Sequence, residues 1–380
     1  MKGFSTRLEQ VQEYYFSQKL KEVNQLIAEG RPVINMGIGS PDLPPHPNVI
    51  AALTAAASKP QAHGYQSYQG NPELRKAIAD FYLRHYQVNL SPESEILPLM
   101  GSKEGIMHLS MAFLDEGDEV LIPNPGYPTY TSVTKMLKVN PIYYDLLPGN
   151  QWQPDFKALG ELDLKKVKIM WVNYPHMPTG AKASLSLFEK LIAFGKENDI
   201  IIAHDNPYSF ILEENPLSIF NVGGAMEIAV ELNSLSKTAN MPGWRVGMVL
   251  GKKEWIQAIL RVKSNMDSGM FLGIQQGAIA ALELDKSWFV GLNNIYAERR
   301  ALIWELAERL DLQVDRDTVG LFVWAKAPAG IEVGNLVDTL LYDKNIFVTP
   351  GKIFGSNGED YVRFSLCVPI EKIKEALSRV

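Results

Sequence analysis

Residues 228–250 read IAVELNSLSKTANMPGWRVGMVL, and this stretch decides the fold more than any other part of the chain. Two short apolar runs, 228–232 and 246–250, enclose a more polar segment that contains Lys237 and Arg245. Continuous apolar runs of this length are typical of strands in a sheet that is covered on both faces. The stretch therefore predicts two strands of a buried sheet, with a loop of reactive side chains between them.

Similar apolar runs alternate with helical patterns through the middle of the chain. This alternation indicates βαβ units around a mostly parallel sheet, and hence an α/β fold. The seven predicted strands are 95–100, 119–122, 141–144, 167–173, 200–205, 228–232 and 246–250. The predicted helices are 72–86, 103–114, 185–197 and 253–262. The first of these helices has Asn71 as its N-cap and Pro72 at its first helical position.

The pattern changes near residue 288 to one long amphipathic helix, 288–310, followed by strand-like runs at 321–324, 346–349 and 361–366. This change predicts a second, smaller α+β domain. The segment before residue 31 is helical in pattern, and we expect it to pack on this small domain rather than on the sheet. We therefore predict that residues 1–45 form an N-terminal arm and part of the small domain, 46–285 the large domain and 286–380 the C-terminal small domain.

The composition excludes several classes of protein. Hydrophobic residues make up 46% of the 380 residues and charged residues 21%, which is typical of an ordinary globular protein. A net charge of −6 without a block of like charges gives no nucleic-acid footprint. One cysteine, Cys367, and six histidines are a poor inventory for a disulfide or a metal site. Because the N-terminus has no signal core and no run approaches about 18 apolar residues, we expect a cytoplasmic protein without a membrane partner.

Lys237 is the first candidate for chemistry. It follows an apolar strand in an otherwise uncharged stretch, with Ser234 and Ser236 beside it. A lysine that is shielded from water has a lowered pKa and can attack a carbonyl group to form a Schiff base. An ordinary surface lysine in a loop remains the alternative.

Asp205 ends the strand 200–205, at the edge of the sheet where α/β proteins bind ligands. It could cap a helix. With Tyr208 three residues later, however, it offers what a pyridine ring needs, because a carboxylate keeps a ring nitrogen protonated and a tyrosine can bond a ring oxygen.

A glycine-rich turn at Gly101-Ser102-Lys103 precedes a predicted helix, so its N–H groups could bind an anion such as phosphate. Gly37-Ile38-Gly39 superficially resembles a dinucleotide fingerprint. Asp42 stands where the third glycine should be and no helix is predicted there, so we reject binding of NAD.

Eight motifs in order make the chain resemble the class I/II, fold-type I aminotransferases, which use pyridoxal 5′-phosphate. The resemblance covers nearly the whole chain. The motifs are Gly-Ser-Pro-Asp at 39–42, Tyr65 with Gly70 and Leu74-Arg75, Gly101-Ser102-Lys103-Glu104-Gly105, Pro125-Gly126-Tyr127-Pro128, Asn173-Tyr174-Pro175-His176-Met177-Pro178-Thr179-Gly180, Asp205-Asn206-Pro207-Tyr208, Ser234-Leu235-Ser236-Lys237 with Arg245, and Arg363-Phe364-Ser365.

The resemblance implies a transaminase with pyridoxal 5′-phosphate as its cofactor, acting by a ping-pong mechanism. Lys237 would carry the cofactor as a Schiff base and move the Cα proton, with Asp205 at the pyridine nitrogen and Tyr208 at the phenolic oxygen. Arg363 would bind the substrate carboxylate, with the Gly39 backbone opposite. The implied cofactor-binding residues are Gly101, Ser102, Lys103, Tyr127, Asn173, Asp205, Tyr208, Ser234, Ser236, Lys237, Arg245 and Tyr65. Tyr65 would come from a neighbouring subunit, which implies a homodimer.

One position departs from the family pattern. Met177 stands where an asparagine normally bonds the phenolic oxygen and helps to hold the substrate carboxylate. A thioether is a weak acceptor and cannot donate. We therefore expect a looser carboxylate site, unless Asn173, His176 or a water replaces the missing group. Tyr130 and Trp244 are interpreted as packing residues.

The motifs leave the reaction and the substrate open. The leading hypothesis is transamination with glutamate or 2-oxoglutarate as one partner, and a carbon–sulfur lyase or a non-catalytic binding protein are the alternatives. Lys103 could meet a distal carboxylate, which would favour an acidic or diaminopimelate-type substrate; alanine also fits the motif, and Lys103 could equally point to solvent. Tyr14 and Tyr15 could close over the substrate or simply pack the arm.

Overall fold

A seven-stranded sheet forms the centre of the fold. The computed structural model describes residues 3–9, 11, 13 and 15–380. The strands of this part of the chain are β1 (Ile34–Asn35), β2 (Ile96–Leu99), β3 (Glu119–Asn124), β4 (Asn140–Asp145), β5 (Val167–Val172), β6 (Ile201–Asp205), β7 (Ala229–Ser234), β8 (Gly247–Leu250), β9 (Gln313–Val314), β10 (Phe322–Lys326), β11 (Ile346–Phe347), β12 (Thr349–Pro350) and β13 (Tyr361–Ser365).

The large sheet has the strand order β2-β8-β7-β6-β5-β3-β4. Strands β3 to β7 pair in parallel, whereas β8 runs antiparallel to both of its neighbours. Every residue of β2, β7 and β8 is buried, as helices on both faces require. All seven predicted strands fall in this sheet, so the prediction of a mostly parallel α/β fold is confirmed.

Helices cover the sheet and connect its strands. In the described part of the chain they are α1 (Tyr15–Ala28), α2 (Pro47–Ala57), α3 (Pro72–Tyr86), α4 (Ser102–Phe113), α5 (Pro128–Met136), α6 (Phe156–Gly160), α7 (Leu185–Asn198), α8 (Ala225–Ile228), α9 (Leu235–Thr238), α10 (Lys253–Lys263), α11 (Leu272–Leu282), α12 (Lys286–Arg309), α13 (Val333–Tyr342) and α14 (Ile370–Ser378). Among the described helices, none has both the length and the apolar character needed to cross a membrane.

Helix α3 shows why local sequence sets an element's limits. The Asn71 side chain accepts a hydrogen bond from the Glu73 N–H at 2.8 Å, and Pro72 occupies the first turn, where its missing N–H costs nothing. Gln87 ends the helix in a left-handed conformation, with φ of 58°. The helix therefore has the bounds that the sequence predicts.

A second sheet lies in the C-terminal part of the chain, with the order β12-β13-β10-β9. The predicted strand 346–349 is divided: β11 pairs in parallel with β1, and β12 pairs antiparallel with β13. Val23 of α1 packs with Leu341 and Phe347 in one apolar cluster, so the N-terminal helix contacts C-terminal elements. Phe16 and Leu20 of the same helix line a cavity at the edge of the large sheet where β5, β6 and β7 end.

Candidate active site

A cavity of about 490 Å³ lies where β5, β6 and β7 end. Asn173 follows β5, Asp205 ends β6 and Ser234 ends β7, so parallel strands bring three predicted residues to one edge of the sheet. The predicted residues that line the cavity are Gly39, Ser102, Lys103, Tyr127, Asn173, Asp205, Tyr208, Ser234, Ser236, Lys237, Arg245 and Arg363.

Lys237 lies on the short helix α9, directly after β7. Its Nζ donates a hydrogen bond to the Gly39 carbonyl oxygen, on the opposite wall of the cavity. Burial lowers the pKa of Lys237, and nearby Arg363 and Arg245 lower it further, whereas Cys367 acts in the opposite direction. A lysine with a lowered pKa releases its proton more easily, as a nucleophilic amine requires.

Asp205 is buried, and its two carboxylate oxygens differ. Oδ2 accepts a hydrogen bond from the Tyr130 hydroxyl at 2.9 Å, whereas Oδ1 has no hydrogen-bond partner among the described residues. Burial raises the pKa of Asp205 to about 6, although the Tyr130 hydrogen bond opposes the rise. A buried carboxylate oxygen without a partner fits a ligand that brings a donor of its own, such as a protonated ring nitrogen.

The N-terminus of α4 forms the anion-binding end of the cavity. Gly101 precedes this 12-residue helix at φ of +91°, and a Cβ at this position would lie 2.0 Å from Arg245 Nη2. The positive φ favours glycine here, and the Arg245 guanidinium lies next to Gly101 at the start of the helix, where the N–H groups of the first turn have no partner within the helix. Ser234 donates to Ser236 at 2.8 Å, and both serines line the cavity beside Arg245. The arrangement fits a phosphate group.

Arg363 of β13 lies across the cavity from these groups. Its Nη2 donates to the Gly37 carbonyl oxygen at 2.8 Å, and its guanidinium lies over the rings of Phe322 and Phe354, at 4.0 and 4.6 Å from the ring centroids. Its Nη1 lies 3.4 Å from Met177 Sδ. The planar fork is thus held by a carbonyl group and aromatic faces, in a geometry that fits bidentate recognition of a carboxylate.

Asn173 and His176 lie near Met177, but neither offers a free group to the cavity in place of the missing asparagine. Asn173 uses both ends of its amide inside the protein, donating to the Asp205 carbonyl oxygen at 2.6 Å and accepting from the Met177 N–H at 2.8 Å. His176 bonds Thr179 at 2.8 Å, and burial lowers its pKa to about 3. In the described structure, His176 does not line the cavity. Met177 lines it at the position where the family has the asparagine.

Two predicted cofactor-binding residues lie apart from the cavity wall. Gly101 lies immediately behind it, packed against Arg245. Tyr65 lies on the loop before α3 and is 93% exposed. Within a single chain, this loop leaves the Tyr65 ring in solvent rather than beside Ser234 and Lys237.

The cavity also contains side chains that the sequence did not reveal. The interpretation of Tyr130 as a packing residue is incomplete: it stacks on Trp171 at 4.8 Å, but its hydroxyl also bonds Asp205. On the substrate side, the additional apolar lining residues are Phe16, Leu20, Ile38, Phe322 and Phe354.

Of the two arm tyrosines, Tyr14 lies outside the described residues. Tyr15 does not line the cavity in the described structure, and burial raises its pKa to about 12, with Glu22 and Asp338 adding to the rise. The N-terminal helix instead presents Phe16 to the cavity. The aromatic run at 14–16 is the sequence signal for an aromatic side chain at this place, but only the packing of the helix decides which ring faces the cavity.

Comparisons with known proteins agree with this geometry. A family model described as aminotransferase class I and II matches residues 31–380. The chain is 40% identical over 379 residues to an LL-diaminopimelate aminotransferase of Aquifex aeolicus, covering 99% of this chain and 98% of the relative. It is 39% identical to the enzyme of the same name from Dehalococcoides mccartyi, covering 99% and 97%.

Solved structures agree as well. The substrate-bound BacF structure from Bacillus subtilis superposes with a TM-score of 0.95 at 35% identity, covering 100% of this chain and 97% of that chain. An aminotransferase from Staphylococcus aureus superposes with a TM-score of 0.90 at 32% identity, covering 99% and 98%.

Proposed function

The chain belongs to the class I and II aminotransferases, as the resemblance in its sequence predicted, and from this premise we propose how its residues carry out the reaction. The protein is a transaminase that uses pyridoxal 5′-phosphate. When bound, this cofactor supplies an electron sink for the negative charge that develops at the substrate Cα. The observation that carries the proposal is the convergence of Lys237, Asp205 and Arg363 on one cavity.

The roles of the polar side chains follow from the charges that they must meet. Lys237 would bind the cofactor and then hold and move the proton at the substrate Cα. Asp205 would keep the ring nitrogen protonated through Oδ1, since Tyr130 already holds its other oxygen at 2.9 Å. Tyr208 would donate to the phenolic oxygen, and Tyr127 would pack on the ring face.

The phosphate group is proposed to bind at the N-terminus of α4. The N–H groups of Gly101, Ser102 and Lys103 would supply donors and the positive end of the helix dipole. Arg245 and the hydroxyl of Ser234 would complete this side, and Ser236 is bonded to Ser234 at 2.8 Å. The supporting observation is the close approach of Arg245 to the Gly101 backbone.

We propose that the working protein is a homodimer in which Tyr65 completes the phosphate site of the partner subunit. Tyr65 is 93% exposed although tyrosine is a large amphipathic residue. Such an exposed ring on a loop fits a role at an interface, where one end is apolar and the hydroxyl needs a partner.

The substrate carboxylate is proposed to bind Arg363, opposite the backbone of Gly39. One amino-acid and oxo-acid pair is glutamate and 2-oxoglutarate. Relatives that are about 40% identical are named LL-diaminopimelate aminotransferases, which supports a diaminopimelate-type amino acid as the other partner. Lys103 lines the cavity, and its ammonium group is proposed to recognise a distal carboxylate. Burial and then Arg245 lower the pKa of Lys103, and a bound carboxylate would oppose this shift by stabilising the charged form.

A second candidate substrate class is favoured by the cavity wall. Phe16, Leu20, Ile38 and Phe354 give its outer part an apolar surface. Apolar surface that is buried against a ligand contributes about 25 cal/mol per Å², so an amino acid with an apolar side chain would gain affinity here. Phe16→Ala separates the candidates, because it should weaken turnover of leucine or phenylalanine more than that of LL-diaminopimelate.

The test of function is the visible absorbance spectrum of the protein loaded with pyridoxal 5′-phosphate, recorded with single amino acids and no oxo acid. A true donor should abolish the band of the loaded protein, and 2-oxoglutarate should restore it. Lys237→Ala is the control, because it should lack both the band and the turnover. Release of pyruvate and ammonia from cystathionine without an acceptor would contradict transamination and support the lyase alternative.

We also propose the division into residues 1–45, 46–285 and 286–380, since the large sheet lies within 96–250 and the smaller one within 313–365. The pairing of β1 with β11 supports the assignment of the arm to the small domain. A cytoplasmic location is part of the proposal, supported by the single buried cysteine, Cys367.

A further inference from the structure

A buried lysine lies directly behind the loop that carries Tyr65. Lys263, the last residue of α10, is only 3% exposed. Its Nζ forms an ion pair with Asp267 Oδ1 at 2.8 Å and donates to the Tyr68 carbonyl oxygen at 3.2 Å. A buried ammonium group requires such partners, because a charge that is removed from water without them is strongly unfavourable.

The segment that follows Lys263 touches the same loop at a second point. Asp267 Oδ1 also accepts from the Gly269 N–H at 2.8 Å, and Gly269 has φ of +86°. A Cβ on Gly269 would lie 2.6 Å from the Gln66 carbonyl oxygen and 2.9 Å from that of Ser67. The turn at 267–269 is thus in close contact with the backbone of residues 66–67, next to the carbonyl group that Lys263 holds.

A group of potential metal ligands adjoins this ion pair. Glu104, His108 and Asp267 offer ligand atoms within 4.8 Å of one another. However, the Lys263 ammonium group is already 2.8 Å from Asp267, and Glu104 and His108 bond each other at 2.5 Å. Lys263 therefore already supplies a positive charge to Asp267, where a metal ion would have to bind.

We propose that Lys263 is a positioning residue for Tyr65, acting on the cofactor site of the partner subunit rather than on its own. It fixes the backbone at residue 68 while the turn at Gly269 fixes residues 66–67, so the loop presents Tyr65 in one conformation. This inference rests on the proposed dimer and on the proposed role of Tyr65. A defect at Lys263 should therefore appear in the other subunit.

Heterodimers with one competent site test this directly. In the first heterodimer, one subunit carries K263M, D267N and Lys237→Ala, and the other is unchanged; the competent site then receives Tyr65 from the altered loop. In the second, K263M and D267N are in the subunit that keeps Lys237, and the other subunit carries only Lys237→Ala. D267N removes the unpaired charge while its amide oxygen can still accept from Gly269.

The measurement is the dissociation constant of pyridoxal 5′-phosphate, from titration of the absorbance band that depends on Lys237. Only one site in each heterodimer gives this band. We expect affinity to fall about tenfold in the first heterodimer, as for the loss of one hydrogen bond to a charged group, and to stay unchanged in the second. Equal affinities in the two heterodimers, whether both lowered or both normal, would overturn the inference.

Two further variants guard the result. Gly269→Ala leaves the ion pair intact but pushes on the same loop, so it should give the same difference between the two arrangements if K263M/D267N folds poorly. Lys76→Met removes an exposed ion pair with Asp80 and should affect neither arrangement.

Tyr65→Phe in the same two arrangements tests the premise. A difference for Tyr65→Phe without one for K263M/D267N and Gly269→Ala refutes only the role of Lys263. No difference for Tyr65→Phe refutes the proposed exchange of Tyr65, and the inference with it.

Discussion

Replacing Met177 by asparagine should change both the electronic state of the cofactor and the binding of the substrate carboxylate. Met177 Sδ lies 3.4 Å from Arg363 Nη1. The asparagine Oδ1 stands the same number of bonds from Cα as Sδ, so it can take the place of the sulfur beside Arg363. The amide nitrogen branches from the same Cγ, and it could donate to the phenolic oxygen.

The expected magnitude follows from the exchange of a weak acceptor for a strong one. A hydrogen bond to a charged group contributes about 1.5–3 kcal/mol, whereas a thioether is a poor acceptor. One pKa unit corresponds to about 1.4 kcal/mol. We therefore expect Met177→Asn to lower the pKa of the pH-dependent visible band by about one unit, because the new donor stabilises the deprotonated oxygen. The KM for the amino acid should fall about tenfold, because Arg363 is better oriented.

The assay is a spectral pH titration of the loaded protein together with steady-state kinetics for the best donor. Met177→Leu is the matched control, since it removes the sulfur but keeps an apolar side chain of similar volume, and it should leave the spectral pKa unchanged. An unchanged titration for Met177→Asn, or an equal change for Met177→Leu, would refute the reasoning.

Three further predictions follow from buried polar contacts. In the cofactor-free protein, burial raises the pKa of Asp205 from 3.8 to about 6, so the folded chain binds this proton more tightly than the unfolded chain. The contribution of Asp205 to the free energy of unfolding should therefore fall by about 3 kcal/mol as pH rises from about 4 to about 6. Urea unfolding should show this loss in the unmodified chain and not in Asp205→Asn. Tyr130→Phe keeps the stacking on Trp171 but removes the hydroxyl that lowers the pKa of Asp205. The affinity for pyridoxal 5′-phosphate should therefore fall about tenfold in an absorbance titration. An unchanged affinity would show that the hydroxyl is dispensable. Arg299 binds Asp42 through two hydrogen bonds of 2.7 and 2.9 Å, so Arg299→Lys should lower the free energy of unfolding by about 3 kcal/mol. Arg316 forms an exposed ion pair with Glu308, so the control Arg316→Lys should change this free energy by less than about 1 kcal/mol.

Much of the fold could be predicted because its signals are local. Helix α3 has a capping asparagine, a proline in its first turn and a left-handed residue at its end, and its bounds match the sequence. Helix α11 was missed because Leu272–Leu282 is apolar on most sides and packs against both α2 and α3, so it has little amphipathic period. The division between β11 and β12 was missed because it depends on pairing with β1 and β13, which are distant in sequence.

In the candidate active site too, some features could be predicted from local sequence and others depend on contacts between distant residues. The sequence indicates that Lys237 and Asp205 lie close together because Asp205 ends β6 and Lys237 follows β7, and the carboxyl ends of parallel strands meet at one edge. The contact of Arg363 with Met177 joins residues 186 positions apart, and the docking of Phe16 depends on how α1 packs. No local pattern encodes these distances, so the apolar side of the cavity becomes visible only in the folded chain.

The buried pair of His204 and Glu231 explains how the strands that carry Asp205 and lead to Lys237 are held together. These two residues are register partners on β6 and β7, and His204 Nδ1 lies 3.0 Å from Glu231 Oε2. His204 Nε2 lies 2.9 Å from the Tyr174 carbonyl oxygen, which can only accept, so this nitrogen carries a proton. Because side chains alternate along a strand, the pair lies on the opposite face from the Asp205 carboxylate.

His204 lowers and Glu231 raises the pKa of Asp205, so their opposed effects leave burial as the main cause of its shift. The pair thus fixes the geometry of this edge of the sheet while leaving the charge of Asp205 to be set by burial, Tyr130 and the ligand.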